Sequence, residues 1–143
     1  MTYDQNNIFA KILRGEIPCK KIYEDDFVLS FHDINPQRKV HALVIPKGHY
    51  IDLDDFSSNA SSEEMVGLLK GINIVAKKLN ISVDTGKGYR ALANISEHGG
   101  QEVPHLHFHL FLLKLLLYSM IYHLVTCLYM SHLSEIFFYL LRD

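Results

Sequence analysis

A chain of 143 residues with a formal net charge of −2 corresponds to about one domain, long enough to bury a core and too short for two ordinary domains. No cluster of Lys and Arg gives the electrostatic footprint of a nucleic-acid-binding surface, so nucleic acid is excluded as a partner, although a mononucleotide pocket needs only local donors. The two cysteines, Cys19 and Cys127, follow no Cys-x-x-Cys spacing and argue against a disulfide framework or a cysteine zinc site; with no basic run or apolar stretch in residues 1–7 to direct export, the expected compartment is the cytoplasm.

In chain order, Lys20 to Asp25 and Phe27 to Asp33 read as two strands of a hairpin, joined through Glu24-Asp25-Asp26, whose side chains compete with ladder hydrogen bonds. Asn35-Pro36-Gln37-Arg38 breaks the pattern. Val40 to Ile45 resumes it until Pro46 and Gly48, with His41 on the same face as Leu43 and Ile45, either as a satisfied core histidine or as a member of a site. From Ser61 or Ser62 the period becomes helical: Met65, Leu68, Leu69, Ile72, Ala76 and Leu79 form one stripe, Glu63 and Glu64 suit the first turn, and Lys77 and Lys78 suit the last. Gly71 inside that helix weakens it by roughly 1 kcal/mol relative to Ala, which implies close packing on a sheet. Asn80 or the later Gly86 and Gly88 close it. Tyr89 to Ile95 reads as a further strand, and Glu97 to Gln101 as a loop. Consecutive strands with one long helix indicate an α+β fold with an antiparallel sheet.

The most informative stretch is His105-Leu106-His107-Phe108-His109, followed by Leu110. On a strand, alternate side chains point to opposite faces, so the three imidazoles share one surface while Leu106, Phe108 and Leu110 share the other. Imidazole titrates near neutrality and serves as nucleophile, acid, base or metal ligand. Gly99 and Gly100, just upstream, either let main-chain N–H groups approach an anion or simply form a turn. Asn94 either reaches a ligand oxygen or pins the loop. Toward phosphorus, neutral imidazole is a competent nucleophile, and a phospho-histidine splits one hard displacement into two easier ones; the middle histidine is best placed for this, and no metal is required. A histidine-rich zinc site is the chemical competitor, and the carboxylate shell that usually supports one is not evident.

Several blocks in order carry a resemblance: Ile8-Phe9-Ala10-Lys11-Ile12, Gly15-Glu16-Ile17-Pro18, Phe31-His32-Asp33-Ile34-Asn35-Pro36, His41-Ala42-Leu43-Val44-Ile45-Pro46-Lys47-Gly48-His49, and Gly99-Gly100-Gln101-Glu102-Val103-Pro104 running into the three histidines. Over residues 7–111 the chain resembles the histidine triad (HIT) superfamily, in its branch of purine-nucleoside phosphoramidases (Hint-like). The resemblance implies a HIT-like domain over residues 1–111, with an additional short N-terminal helix, a homodimer with sheets joined across a two-fold axis, and no cofactor. It implies hydrolysis of a nucleoside phosphoramidate or related nucleotide conjugate to a nucleoside monophosphate through a nucleotidyl-histidine intermediate. His107 would be the nucleophile, His105 and His41 its supporting environment, and His109 the contact to phosphate and leaving group. Asp33 would meet the ribose hydroxyls, and Ile8, Phe9, Ile12, Ile34 and Leu43 would form the slot for the purine base. Asn94, the backbone of Gln101 to Val103 and the side-chain position of Glu102 would surround the phosphate. Some relatives hold zinc through two cysteines, at the positions of Asn7 and Ala10 here, with the counterparts of His49 and His105; half of that set is missing, so no metal is expected.

The pattern ends after Leu110. Residues 112–143 form a divergent apolar tail, and Leu110 to Met130, interrupted mainly by Lys114 and His123, reaches the length of a membrane span. Because it begins inside a strand, membrane association is the less favoured reading beside two others: a replacement tail that packs as a helix, or translation in a shifted frame. An altered tail also opens an alternative to catalysis, namely a nucleotide-binding module with little or no turnover.

Overall fold

The computed structural model describes residues 2–112, and the tail from residue 113, with its helical, membrane and frame-shift readings, lies outside the described residues. Among the described residues the element order is α1 (Ile8–Leu13), β1 (Lys21–Glu24), β2 (Val28–His32), β3 (His41–Pro46), α2 (Leu53–Asn59), α3 (Ser62–Lys78), β4 (Arg90–Leu92) and β5 (Phe108–Phe111). The strands form one antiparallel sheet in the order β1-β2-β3-β5-β4, the α+β architecture expected from the pattern. No helix among these residues is long and apolar enough to cross a membrane. Leu110 and Phe111, the start of the apolar run, are buried strand residues.

The β1–β2 hairpin turns where Asp25 Oδ1 accepts the main-chain N–H groups of Phe27 and Val28, both at 2.8 Å, so the acidic turn residues do the work that their type suggests. Helix α3 begins with a capping box: Ser61 Oγ accepts from Glu64 N–H, and the Glu64 carboxylate accepts from Ser61 N–H. It ends near Asn80, whose positive φ of 55° breaks the helical path. The helix lies across β1, β2 and β3. At Gly71 a Cβ would stand 2.6 Å from Val28 Cγ2, which is the close helix-to-sheet approach inferred from a glycine at that point.

The two faces of the sheet bury different groups. Val28, Ala42, Val44, Leu106 and Leu110 pack with Phe56 of α2 and Leu68, Ile72, Val75 and Ala76 of α3. Leu29, Phe31, Leu43 and Ile45 pack with Phe9 of α1 on the opposite face.

Two expectations are corrected in extent, and one element was not expected at all. The fourth strand is Arg90–Leu92 rather than Tyr89–Ile95, because beyond Leu92 the chain leaves its partner β5, whose register places Leu92 opposite His109. The histidine strand begins at Phe108, and His105 to His107 lie before it, with the chain bending at His105, while the alternation of faces is nonetheless kept. Helix α2 went unpredicted: its seven residues carry too little periodicity, and it is made by the Asp52 cap accepting from Asp55 N–H and by one buried anchor, Phe56.

Candidate active site

The histidine row sits where β3 and β5 pair. His41 opens β3 opposite Phe111, and Leu43 lies opposite His109, so His41 and His109 are neighbours on the face that carries Phe9. His41 Nε2 is 2.8 Å from His109 Nδ1 and 3.3 Å from Asp33 Oδ2. The His107 and His109 rings follow at a centroid separation of 4.9 Å, and the edge of Phe9 packs on His107 at 5.1 Å. The alternation does what the sequence implied: His105, His107 and His109 face Phe9 or one another, while Leu106 and Leu110 enter the core under α3.

A cleft of about 720 Å³ opens on this face. His41, His107, His109 and Asn94 line one part of it, Ile8, Phe9, Ile12, Ile34 and Leu43 supply apolar wall, and Asp33, Glu102 and Val103 complete the predicted set. Two predicted residues do not line it. His105 is wholly buried behind the row, where its Nε2–H donates to the Pro46 carbonyl at 3.0 Å and its Nδ1 accepts from the Tyr3 hydroxyl. Gln101 turns its amide inward, donating to the carbonyls of Ile51 at 2.6 Å and Val103 at 2.9 Å while accepting from Ser96 N–H, so its side chain staples the loop and leaves only its backbone near the site. His41 bonds to His109 rather than to His107, and Asp33 already spends Oδ1 on Asn35 N–H at 2.8 Å. Asn94 pins the loop through Gly100 O at 3.3 Å while still lining the cleft. Gly99 and Gly100 have turn geometry: a Cβ on Gly99 would strike Ile95, and Gly100 has φ of 73°.

Burial dominates the electrostatics. It pushes both His105 and His109 down to about 4, the latter helped by neighbouring imidazoles, and holds His107 and His41 below the usual imidazole range against the opposing pull of Asp33. All four rings are therefore neutral near pH 7. The ring of His107 has one main-chain partner: Nδ1 lies 2.7 Å from the carbonyl of His105. A carbonyl only accepts, so the proton of neutral His107 sits on Nδ1 and Nε2 keeps a free electron pair.

Asp33, His41 and His109 also form a group with metal-ligand chemistry, with donor atoms within 4.8 Å of one another, but those atoms are engaged with each other. At the alternative position, Asn7 caps α1 by accepting from Ala10 N–H at 2.9 Å, and Tyr3 stacks on His49 at 4.8 Å. Of the two positions where relatives carry cysteine, Asn7 thus serves as a helix cap and Ala10 is a buried helix residue.

Sequence reasoning missed Tyr3, Gln37, Cys19 and Lys20 at or behind the cleft. Tyr3 reaches His105 across 102 residues, and the Gln37 contribution is a main-chain N–H, so neither leaves a local signal. Cys19 and Lys20 precede β1 and line the cleft.

This site lies on a chain that belongs to the HIT domain family: the family's sequence model matches residues 14–114. The chain is 54% identical over 110 residues to an uncharacterized 13.2 kDa HIT-like protein of Azospirillum brasilense, covering 77% of this chain and 88% of that one. Among solved structures it is similar to a histidine triad protein from Clostridium difficile, with TM-score 0.69 and 40% identity over 79% of this chain and 95% of the other. A HIT family hydrolase from Clostridium thermocellum matches with TM-score 0.67 and 39% identity, over 76% and 90% of the two chains. The family match ends at residue 114, just beyond β5, close to where the sequence pattern changes.

Proposed function

We propose that this chain hydrolyses a nucleoside phosphoramidate, or a related conjugate of a nucleoside monophosphate, through a nucleotidyl-histidine intermediate. The observation that carries the reading is the 2.7 Å bond from His107 Nδ1–H to the His105 carbonyl, which leaves Nε2 as an electron-pair donor in the cleft. His107 Nε2 attacks phosphorus, the P–N bond to the leaving amine breaks with its electron pair going to nitrogen, and the amine takes a proton from solvent. Water then attacks phosphorus in the adduct, the P–N bond breaks with its electron pair returning to His107 Nε2, and the water gives up a proton to solvent, releasing nucleoside monophosphate and restoring neutral His107. His109 lies beside the attacking ring, where a donor would meet a phosphoryl oxygen. Apolar residues from α1 and β3 offer a slot for a purine, and Asp33 stands at its rim for a ribose hydroxyl. The similarity to a protein described as a HIT family hydrolase supports a hydrolase.

The test is direct. Purified full-length protein with adenosine phosphoramidate should release adenosine monophosphate, acid-quenched mass spectrometry should find a nucleotidyl adduct on the peptide holding His107, and His107→Ala should show neither. Equal rates for the two proteins overturn the mechanism. Binding without turnover is the second reading, favoured by the end of the family match at residue 114; adenosine monophosphate would then raise the melting temperature with no product formed. Cytoplasmic residence and a homodimer belong to the same proposal, the latter supported by Val66 and Leu69, which α3 leaves 48% and 67% exposed; light scattering at the mass of one chain would remove it.

A further inference from the structure

We infer that the main-chain N–H of Gln37 fixes the proton positions of the His41–His109 pair, so that His109 presents Nε2–H to the cleft while its neighbour His107 presents a lone pair. The steps follow from what each atom is able to do. A main-chain N–H only donates, and that of Gln37 lies 3.3 Å from His41 Nδ1, so this nitrogen carries an electron pair. The single proton of a neutral His41 is then on Nε2. That N–H has two acceptors, His109 Nδ1 at 2.8 Å and Asp33 Oδ2 at 3.3 Å. His109 accepts at Nδ1, so its own proton is on Nε2, the nitrogen that no hydrogen bond among the described residues engages.

Two adjacent rings of one chemical type thereby acquire opposite polarity from two main-chain groups. The His105 carbonyl makes His107 a lone-pair donor, and the Gln37 amide, acting through His41, makes His109 a hydrogen-bond donor. Asp33 supports the second arm twice: Oδ1 accepts Asn35 N–H and shapes the loop that brings Gln37 to His41, while Oδ2 receives the His41 proton. The arrangement also opposes a third proton on the pair, because two N–H groups would then face each other across 2.8 Å or the Gln37 bond would break. His109 consequently acts as a neutral donor to developing negative charge and not as a resident imidazolium. The use of that donor on a phosphoryl group rests on the proposed function; the proton positions do not.

Long-range proton–nitrogen correlation NMR on the full chain with 15N-labelled histidine, at pH 7.5 and without ligand, reads each tautomer. The expected pattern is Nε2–H for His41 and His109 and Nδ1–H for His107. Gln37→Pro removes the donor, whereas Gln37→Ala keeps it. The proline variant should show His41 exchanging between tautomers and a kcat lowered at least about tenfold, and the alanine variant should keep the wild-type tautomers. A wild-type His41 protonated on Nδ1 overturns the inference even if the proline variant does not fold, as does a proline spectrum identical to that of the alanine variant. Absence of nucleotide turnover would remove the proposed function and leave the spectral prediction standing.

Discussion

The two faces of this sheet are built from the same strands by different rules. On the face under α3, Val28, Val44 and Leu110 are held by shape alone, and the helix comes so near that a glycine is required at Gly71. On the opposite face, imidazoles on β3, on β5 and in the segment leading into it lie on the side of Phe9, and each is oriented by a directional partner: Pro46 O for His105, His105 O for His107, Gln37 N–H for His41, and His41 for His109. The comparison teaches that one face spends its burial on stability and the other on keeping polar rings dry, neutral and fixed in tautomer.

The sharpest way to break that contrast is on the histidine face. If the proposed mechanism holds, His107→Ala should lower the phosphoramidate hydrolysis rate on the order of 10⁴-fold or more, because it removes the proposed nucleophile, while the fold, whose core lies mostly under α3, keeps its circular dichroism spectrum. A variant retaining a tenth of the wild-type rate would show that the row is not where chemistry happens.

Acidity tests the same face through stability. Burial holds His105 at about 4, below its unfolded value of about 6.5, so between these values the unfolded chain binds more protons and stability falls as pH falls. His105 alone accounts for about 2 kcal/mol lost by pH 5. The half-buried His109 and the lowered His41 and His107 add in the same direction, with His109 discounted for solvent screening. Urea unfolding at pH 7.5 and pH 5 measures this; a flat profile would mean that the rings are solvated and the two faces are not different in kind.

On the apolar face, Gly71→Ala should destabilise by about 1–2 kcal/mol. The new Cβ would meet Val28 Cγ2 at 2.6 Å, and a stiff, fully buried valine has nowhere to go, so overpacking outweighs the roughly 1 kcal/mol that alanine gains as a helix former. Thermal unfolding decides the sign, and a rise in melting temperature would show that α3 stands further from the sheet than described.

The apolar face was the more legible in sequence, and the reason is physical. Side-chain periodicity encodes which residues face inward, so the helix at Ser62–Lys78, its Ser61 start, the close approach at Gly71 and the sharing of one face by the three histidines could all be read. His41 shares its face with Leu43 and Ile45 as read from the alternation, and most of the residues named for a site line one cleft. What stayed hidden depends on main-chain atoms or on distant chain meeting: the Gln37 amide, whose donor would be the same for any residue but proline, and Tyr3 behind His105. The inward turn of Gln101 was hidden likewise, since its acceptors at Ile51 and Val103 are carbonyls without residue identity.

The smallest expected effect tests whether the faces are energetically separable. Ser61→Ala removes the hydroxyl that accepts Glu64 N–H at the start of α3 and leaves the Glu64 carboxylate with Ser61 N–H and the Tyr50 hydroxyl as partners. Loss of such a cap costs about 1 kcal/mol. The helix touches β1, β2 and β3 from the side away from the histidines, so its first turn frays without moving the bond from His107 to His105 O. Turnover at 25 °C should therefore equal that of the wild type while the urea midpoint falls. A matched loss of kcat would mean that packing under α3 sets the geometry of the imidazole row, and the division between the two faces would have to be given up.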